Sequence, residues 1–118
     1  MIEGRPRILV VDDDPGMRRA MERILAPLYD VESADGVVQA LDRLDHDGGF
    51  QVALVDIRLG DESGFDLARR LRGTVILIST YAQSEYAEKI AVSPAAGFIP
   101  KAQLSASAVL RLADPATN

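Results

Sequence analysis

The stretch ILVVDD, residues 8–13, joins four apolar residues to two adjacent aspartates. Two later stretches have the same form: ALVD at residues 53–56 and VILIS at residues 75–79 each end on a residue with a side-chain oxygen. Short runs rich in Val, Ile and Leu are typical of strands that are buried on both faces of a parallel sheet. The carboxyl ends of such strands face the crevice where ligands bind. We therefore expect the polar residues at these ends to meet at one edge: Asp12, Asp13, Asp56 and Ser79.

The rest of the chain alternates between strand and helix patterns. Asp14-Pro15 is a helix start signal, Gly48-Gly49 closes the second helix pattern, and Gly73 ends the third. The fourth helix is predicted over Gln83–Val92. A strand-helix alternation repeated five times predicts a parallel sheet with helices on both faces. The predicted fold is α/β: a flavodoxin-like (βα)5 three-layer sandwich whose five-stranded sheet has the order 2-1-3-4-5.

The chain length allows one domain. With 118 residues it can bury a sizeable core, but not two. Residues 2–5, Ile-Glu-Gly-Arg, match a common protease-cleavage tag, so residues 1–6 are set apart as an N-terminal extension. The predicted domain covers residues 7–113, and residues 114–118 form a polar C-terminal tail.

Composition excludes several functions. The net charge of −5 argues against nucleic acid or an anionic membrane as the direct partner. The chain has no cysteine, which excludes disulfides and thiolate metal sites. No apolar run reaches the length of a membrane span, and we expect a cytoplasmic location.

The residues at the predicted edge suit metal-assisted phosphoryl chemistry. Three crowded carboxylates need a cation nearby, a basic side chain or a raised pKa. An all-oxygen donor set fits Mg²⁺, Mn²⁺ or Ca²⁺ rather than Zn²⁺. A carboxylate beside such a metal can attack phosphorus and form an acyl phosphate. Ser79 can supply a hydroxyl, and Lys101, which follows the apolar segment 97–99, can supply an ammonium group.

These residues resemble a known family. In order and at the ends of the predicted strands, the chain resembles a bacterial response-regulator receiver domain over nearly its whole length. The matching segments are VVDD at 10–13 with MRR at 17–19, LVD at 54–56 with Gly64 eight residues later, IS at 78–79, and GFIPK at 97–101.

The resemblance implies a role for each site residue. Asp56 would accept a phosphoryl group from a histidine kinase or a phosphotransfer protein. Asp13, Asp56 and the backbone oxygen of Arg58 would bind Mg²⁺ directly, Mn²⁺ being the substitute, and Asp12 would act through water. Ser79 and Lys101 would bind phosphoryl oxygens.

Three further residues would regulate the signal. Phe98 would be the aromatic switch, which turns inward when Ser79 moves toward the phosphate. Arg58 and Tyr81 would tune the lifetime of the phosphoryl group. Three positions depart from the common pattern. Gly60 replaces a frequent proline, which predicts a looser loop after Asp56, and Thr80 replaces a frequent alanine or glycine, which predicts narrower access for small phosphodonors. Ala102 replaces the cis proline after Lys101, which predicts a trans peptide bond.

We interpret the chain as a stand-alone receiver that is not an enzyme beyond its own phosphorylation and dephosphorylation. It would be a monomer or weak dimer that signals to an unidentified downstream protein through the fourth helix, fifth strand and fifth helix, Tyr81–Leu112. The alternatives are a pseudo-receiver scaffold with an idle site and a metal-dependent phosphatase.

Two other features are given no role in the site. The single histidine, His46, is placed in a polar loop. The arginines of the first and third helices are placed on solvated faces: Arg18, Arg19, Arg69, Arg70 and Arg72.

Overall fold

A computed structural model describes residues 5–47, 49–80 and 86–113 of the chain. In chain order its elements are β1 (Arg7–Val11), α1 (Pro15–Leu25), β2 (Asp30–Ala34), α2 (Val37–Asp47), β3 (Val52–Asp56), β4 (Arg58–Leu59), β5 (Glu62–Ser63), α3 (Gly64–Arg70), β6 (Thr74–Ser79), α4 (Ala87–Val92), β7 (Gly97–Pro100) and α5 (Ala106–Ala113). A short 3-10 turn, Lys101–Gln103, follows β7.

Five of the strands form one parallel sheet in the order β2-β1-β3-β6-β7. The strands β4 and β5 lie outside this sheet and pair with each other in antiparallel fashion. Once this small ribbon is set apart, the order of the five sheet strands is 2-1-3-4-5. The predicted flavodoxin-like topology is therefore confirmed, and β1 and β3 are neighbours.

Both faces of the sheet are covered because the interiors of its central strands are apolar on both faces, as in residues 8–11, 52–55 and 75–78. Successive side chains in a strand point to opposite faces. Leu9 and Val11 accordingly belong to a core cluster shared with α2 and α3. Ile8 and Val10 belong to a second cluster, which includes Met21 of α1 and residues of α5. The sheet is thus held between two helical layers.

Helix α1 begins as its sequence predicts. The side chain of Asp14 accepts a hydrogen bond of 2.9 Å from the backbone N–H of Gly16, and Pro15 takes the first helical position. Proline is tolerated there because the first N–H groups of a helix have no partner inside the helix.

Two predictions about the helices are wrong, the placement of His46 and the start of the fourth helix. Helix α2 continues to Asp47, so His46 lies within the helix and not in a loop, because no breaking residue precedes Gly48. Helix α4 begins only at Ala87, since Tyr86 has the non-helical angles φ −126° and ψ 14°. Residues 83–85 of the predicted helix lie outside the described residues.

The loop after Asp56 is not the loose segment that Gly60 was expected to give. It forms the ribbon of β4 and β5, with Leu59 paired to Glu62. Gly60 has φ +63° at the turn, a conformation that glycine adopts without strain. Leu59 is buried, and the Glu62 carboxylate accepts a hydrogen bond of 3.4 Å from the backbone N–H of Val37.

Among the helices that the structure describes, none combines the length and the apolar character that a membrane span requires.

Candidate metal and phosphoryl site

The carboxyl ends of the three central strands gather the predicted polar residues. Asp12 directly follows β1, and Asp56 and Ser79 are the last residues of β3 and β6. A cleft of about 410 Å³ opens at this edge. The residues that line it are Asp13, Asp14, Asp56, Arg58, Gly60, Ser79, Thr80 and Lys101.

Asp12 is completely buried and held at each of its polar ends. Its backbone N–H donates to the carbonyl of Ala34 at 3.1 Å, which ties it to β2. Its Oδ1 accepts a hydrogen bond of 3.0 Å from the backbone N–H of Asp14. Its Oδ2 lies 2.7 Å from Nζ of Lys101. A buried carboxylate is tolerated only with such compensation.

Asp12, Asp13 and Asp56 lie close enough to share one cation. One carboxylate oxygen from each lies within 4.8 Å of the others. Asp12 and Asp56 are buried, and Asp13 is exposed to the cleft. This donor set contains oxygen only, which fits a hard divalent cation and does not fit zinc.

Asp56 sits in conflicting surroundings. Its Oδ2 accepts a hydrogen bond of 3.0 Å from Nζ of Lys101, and its Oδ1 accepts one of 3.2 Å from the backbone N–H of Arg58. Burial is the largest influence and raises the pKa of the Asp56 carboxyl, and the charge of Asp12 raises it further. The Lys101 ammonium and the Arg58 amide act in the opposite direction, but the pKa of Asp56 stays raised.

Lys101 bridges the two buried carboxylates. Burial by itself lowers the pKa of its ammonium group, but the hydrogen bonds to Asp12 and Asp56 outweigh it, so the pKa of Lys101 is raised. Lys101 is therefore positively charged in the cleft. The Lys101–Ala102 peptide bond is trans, as predicted. Ser79 lines the same cleft and is almost fully buried.

The residues proposed for regulation do not all lie at the cleft. Arg58 lines the cleft with an exposed side chain. Phe98 is half-buried and packs against the core cluster that includes Leu77, its neighbour in β6. Tyr81 lies outside the described residues, so its predicted position over the phosphoryl group stays a prediction.

Two contacts in the site escaped the sequence analysis. The guanidinium group of Arg18, expected on a solvated face, donates a hydrogen bond of 2.7 Å to the backbone carbonyl of Asp12. Gly64 approaches the backbone of Asp56 so closely that a Cβ at this position would lie 2.0 Å from the carbonyl oxygen. The position of Arg18, four residues after the helix cap Asp14, is the signal that could have indicated the first contact. The eight-residue spacing between Asp56 and Gly64 does not by itself indicate why a glycine is needed there.

Comparison with known proteins assigns the family. Residues 8–112 match the response regulator receiver domain, and the chain belongs to this family. It is similar to Response regulator MprA of Mycobacterium tuberculosis, with 38% identity over 90 residues that cover 72% of this chain and 38% of the relative. It is also similar to Chemotaxis protein CheY1 of Helicobacter pylori, with 34% identity over 68 residues, 56% of this chain and 55% of the relative.

Solved receiver structures share the fold over almost the whole chain. A CheY-like receiver domain from Methanospirillum hungatei superposes with a TM-score of 0.77 at 29% identity, covering 92% of this chain and 90% of that one. The receiver domain of the putative response regulator NarL from Mycobacterium tuberculosis superposes with a TM-score of 0.79 at 28% identity, covering 95% and 98%.

The protein is thus a receiver domain, a phosphoacceptor switch of two-component signal transduction. The matched regions span only 27–55% of the curated relatives, so the stand-alone character expected from the sequence stays a prediction.

Proposed function

We propose that this receiver domain accepts a phosphoryl group on Asp56 from a histidine kinase or a phosphotransfer protein. One observation carries the proposal: a carboxylate at the end of the central strand β3 lies in an open cleft beside two further carboxylates and a lysine ammonium. In the transfer, an Asp56 oxygen forms a bond to phosphorus while the bond between phosphorus and the donor atom breaks. The donor atom leaves with the electron pair of the broken bond.

A divalent cation fits this arrangement because Asp12, Asp13 and Asp56 offer oxygen ligands within 4.8 Å of one another. In our proposal Asp13, Asp56 and the backbone oxygen of Arg58 hold Mg²⁺ directly, Asp12 acts through water, and Mn²⁺ can substitute. When bound, the ion supplies positive charge against the phosphoryl oxygens.

Ser79 and Lys101 complete the proposed phosphoryl site. The Lys101 ammonium already lies 3.0 Å from Asp56 Oδ2, where it can bind an oxygen of the incoming phosphoryl group. Ser79 ends the neighbouring strand β6 and lines the same cleft, where its hydroxyl can bind a second oxygen. Positioning and charge stabilisation of this kind supply most of the catalysis in phosphoryl transfer.

The proposed output is a change of shape on the face made by α4, β7 and α5. Among the described residues α4 buries no side chain completely, and Val92 at its end is 81% exposed. Phe98 of β7 belongs to this face, packs half-buried against the core and is the proposed switch. An unidentified downstream protein would read this face, in the cytoplasm and without direct contact to nucleic acid or membrane. The functional unit would be residues 7–113, as a monomer or weak dimer.

Both alternative functions are less well supported. A pseudo-receiver scaffold would not need an intact site, whereas Asp13, Asp56, Ser79 and Lys101 all line this cleft and the buried Asp12 contacts Lys101. A metal-dependent phosphatase would need a general acid two residues after the nucleophile, and that position is Arg58. We therefore propose no turnover beyond the domain's own phosphorylation and dephosphorylation.

The test is phosphorylation by acetyl phosphate with Mg²⁺, followed by intact-mass measurement. The parent should gain one phosphoryl group, and it should gain none when EDTA removes the metal. Asp56→Asn should gain none, because an amide is not a competent nucleophile. Asp61→Asn, an exposed acid in the ribbon turn, is the matched control and should react like the parent. Undiminished phosphorylation of Asp56→Asn would refute the assignment.

A further inference from the structure

Arg18 differs from the other arginines of α1 in its contact with the site. Its guanidinium group reaches back from the helix and donates a hydrogen bond of 2.7 Å, partly buried, to the backbone carbonyl of Asp12. The next residue, Arg19, is exposed, and its side chain has no hydrogen bond or ion pair within the described residues. A short, charge-assisted hydrogen bond of this type is about twice as strong as a neutral one.

The contact fixes a part of the backbone on which Asp13 depends. The carbonyl of Asp12 and the amide nitrogen of Asp13 belong to the same planar peptide unit, so the direction of the one sets the direction of the other. Across the described part of the chain, the Asp13 side chain has no hydrogen bond or ion pair of its own. Its direction therefore depends on the backbone before it.

We propose that Arg18 is a positioning residue for the metal site, which holds the Asp12–Asp13 peptide unit so that the Asp13 carboxylate points into the cleft. The inference rests on the proposed function, because it takes Asp13 as a ligand of Mg²⁺. Arg18 touches neither the metal nor the phosphoryl group in this scheme. It acts through the backbone of Asp12, whose other polar atoms are already held by Ala34, Asp14 and Lys101.

A competing explanation of the Arg18 contact predicts the opposite change in Mg²⁺ affinity when Arg18 is replaced. If Arg18 acted only as a positive charge near three carboxylates, its removal would strengthen Mg²⁺ binding, because like charges repel. If Arg18 positions Asp13, its removal weakens Mg²⁺ binding although a repulsive charge is lost. The direction of the change therefore separates the two roles.

The experiment compares Arg18→Met with Arg19→Met. Both substitutions remove one positive charge from α1 and keep an unbranched stem with a similar helix propensity. Mg²⁺ affinity is measured by calorimetry on metal-stripped protein. Arg18→Met should bind Mg²⁺ about ten-fold more weakly than the parent, as expected for the loss of one hydrogen bond to a charged group. Arg19→Met should stay within about two-fold of the parent, since it breaks no contact.

A second measurement reports the position of the loop without any metal. In nuclear magnetic resonance spectra recorded in EDTA, the amide signal of Asp13 should shift in Arg18→Met and stay in place in Arg19→Met. If Arg18→Met does not fold, Arg18→Gln is held to the same expectations. A parent that binds Mg²⁺ together with an Arg18 variant that binds it equally or more tightly overturns the role of Arg18 alone. A parent that does not bind Mg²⁺ overturns the proposed metal site as well.

Discussion

The Asp56 carboxylate is a single residue at which function and stability conflict. Burial and the charge of Asp12 raise its pKa, so the ionised form that would attack phosphorus in the proposed transfer is the form that the fold tolerates less well. Lys101 and the Arg58 amide offset part of this penalty. Perturbed carboxylates of this kind are common at functional sites, where reactivity is favoured over stability.

We expect Asp56→Asn to stabilise the metal-free protein near neutral pH, because it removes a partly desolvated charge. The folded pKa is raised above the ordinary value of 3.8, so the native state binds a proton more tightly than the unfolded state does. The penalty in the parent is complete at neutral pH and disappears as the pH falls through the raised pKa. The advantage of Asp56→Asn should therefore shrink on acidification, measured by urea unfolding in EDTA.

The control for this measurement is Asp61→Asn, which removes one exposed negative charge from the same chain. Its effect on the free energy of unfolding should be small and should not follow the same pH dependence. An Asp56→Asn variant that is less stable than the parent at neutral pH, or whose advantage grows in acid, would contradict the interpretation of Asp56.

The mouth of the cleft leads to a prediction on the lifetime of the phosphoryl group. Hydrolysis needs a water in line with the bond between Asp56 and phosphorus. Arg58 lines the cleft, and neither an arginine nor an unperturbed tyrosine, with a pKa of about 10, is a general base near neutral pH. We therefore expect slow self-dephosphorylation and a faster loss of phosphate when Arg58 and Tyr81 are both replaced by alanine. A decay assay that finds equal or slower loss in the double variant would contradict shielding.

The junction of β3 and α3 shows how one element positions the site. The backbone N–H of Gly64 donates a hydrogen bond of 2.7 Å to the carbonyl of Ile57, so the start of α3 lies directly against the end of β3. The side chain of Ser63 caps the helix by accepting a hydrogen bond of 3.1 Å from the backbone N–H of Phe65. The ribbon of β4 and β5 connects β3 to α3 and brings the start of the helix back against the end of β3. This close return holds the loop that carries Arg58 beside Asp56.

We expect Gly64→Ala to destabilise the protein by about 1–3 kcal/mol or more, because its Cβ would meet the backbone of Asp56 and Ile57 and no flexible side chain that could move away. The temperature of thermal unfolding and the rate of phosphorylation by acetyl phosphate should both fall. Gly16→Ala in α1 is the matched control: the nearest atom to its Cβ is Asp14 Oδ1 at 3.4 Å, an ordinary contact. Equal stability of the two variants would show that β3 and α3 can separate freely.

Across the whole molecule, the sheet connects the phosphoryl site to the proposed output face. Ser79 at the end of β6 pairs with Pro100 of β7, and two residues earlier Leu77 pairs with Phe98. The same strand β6 packs against α5 through the second core cluster, in which Ile76 and Val109 are both fully buried. We therefore expect a displacement of Ser79 to be passed to β7 and α5 through these contiguous, close-packed contacts.

We predict that beryllium fluoride with Mg²⁺, used as a stable mimic of the phosphoryl group, shifts the amide resonances of α4, β7 and α5. Phe98→Ala should keep phosphorylation by acetyl phosphate but reduce these shifts, because it removes the half-buried side chain that packs this face against the core. Phe50→Ala is the aromatic control, since Phe50 lies just before the central strand β3, at the end away from Asp56, under the Arg7 guanidinium. Undiminished shifts in Phe98→Ala would remove Phe98 from the pathway.

The amino-acid sequence alone determined the topology and the members of the candidate site. Apolar runs with no polar alternation can be buried only between two layers, which gives a parallel sheet covered by helices. The polar residues that end those runs must then meet at one edge, which brought Asp12, Asp13 and Asp56 together as predicted. These conclusions depend on local patterns and on the general rules of chain connection, so no coordinates were needed.

Only the tertiary structure decided the contacts that join residues distant in sequence. The bridge of Lys101 to both Asp12 and Asp56 spans most of the chain, and no local pattern states which carboxylates a lysine reaches. Arg18 resembles its neighbour Arg19 in sequence, yet the direction of α1 relative to β1 turns only one of them toward the site. Gly60 was expected to loosen its loop, but the burial of Leu59 and the reach of Glu62 to α2 fold that loop into a ribbon. In each case the outcome depends on packing between elements, which local sequence does not encode.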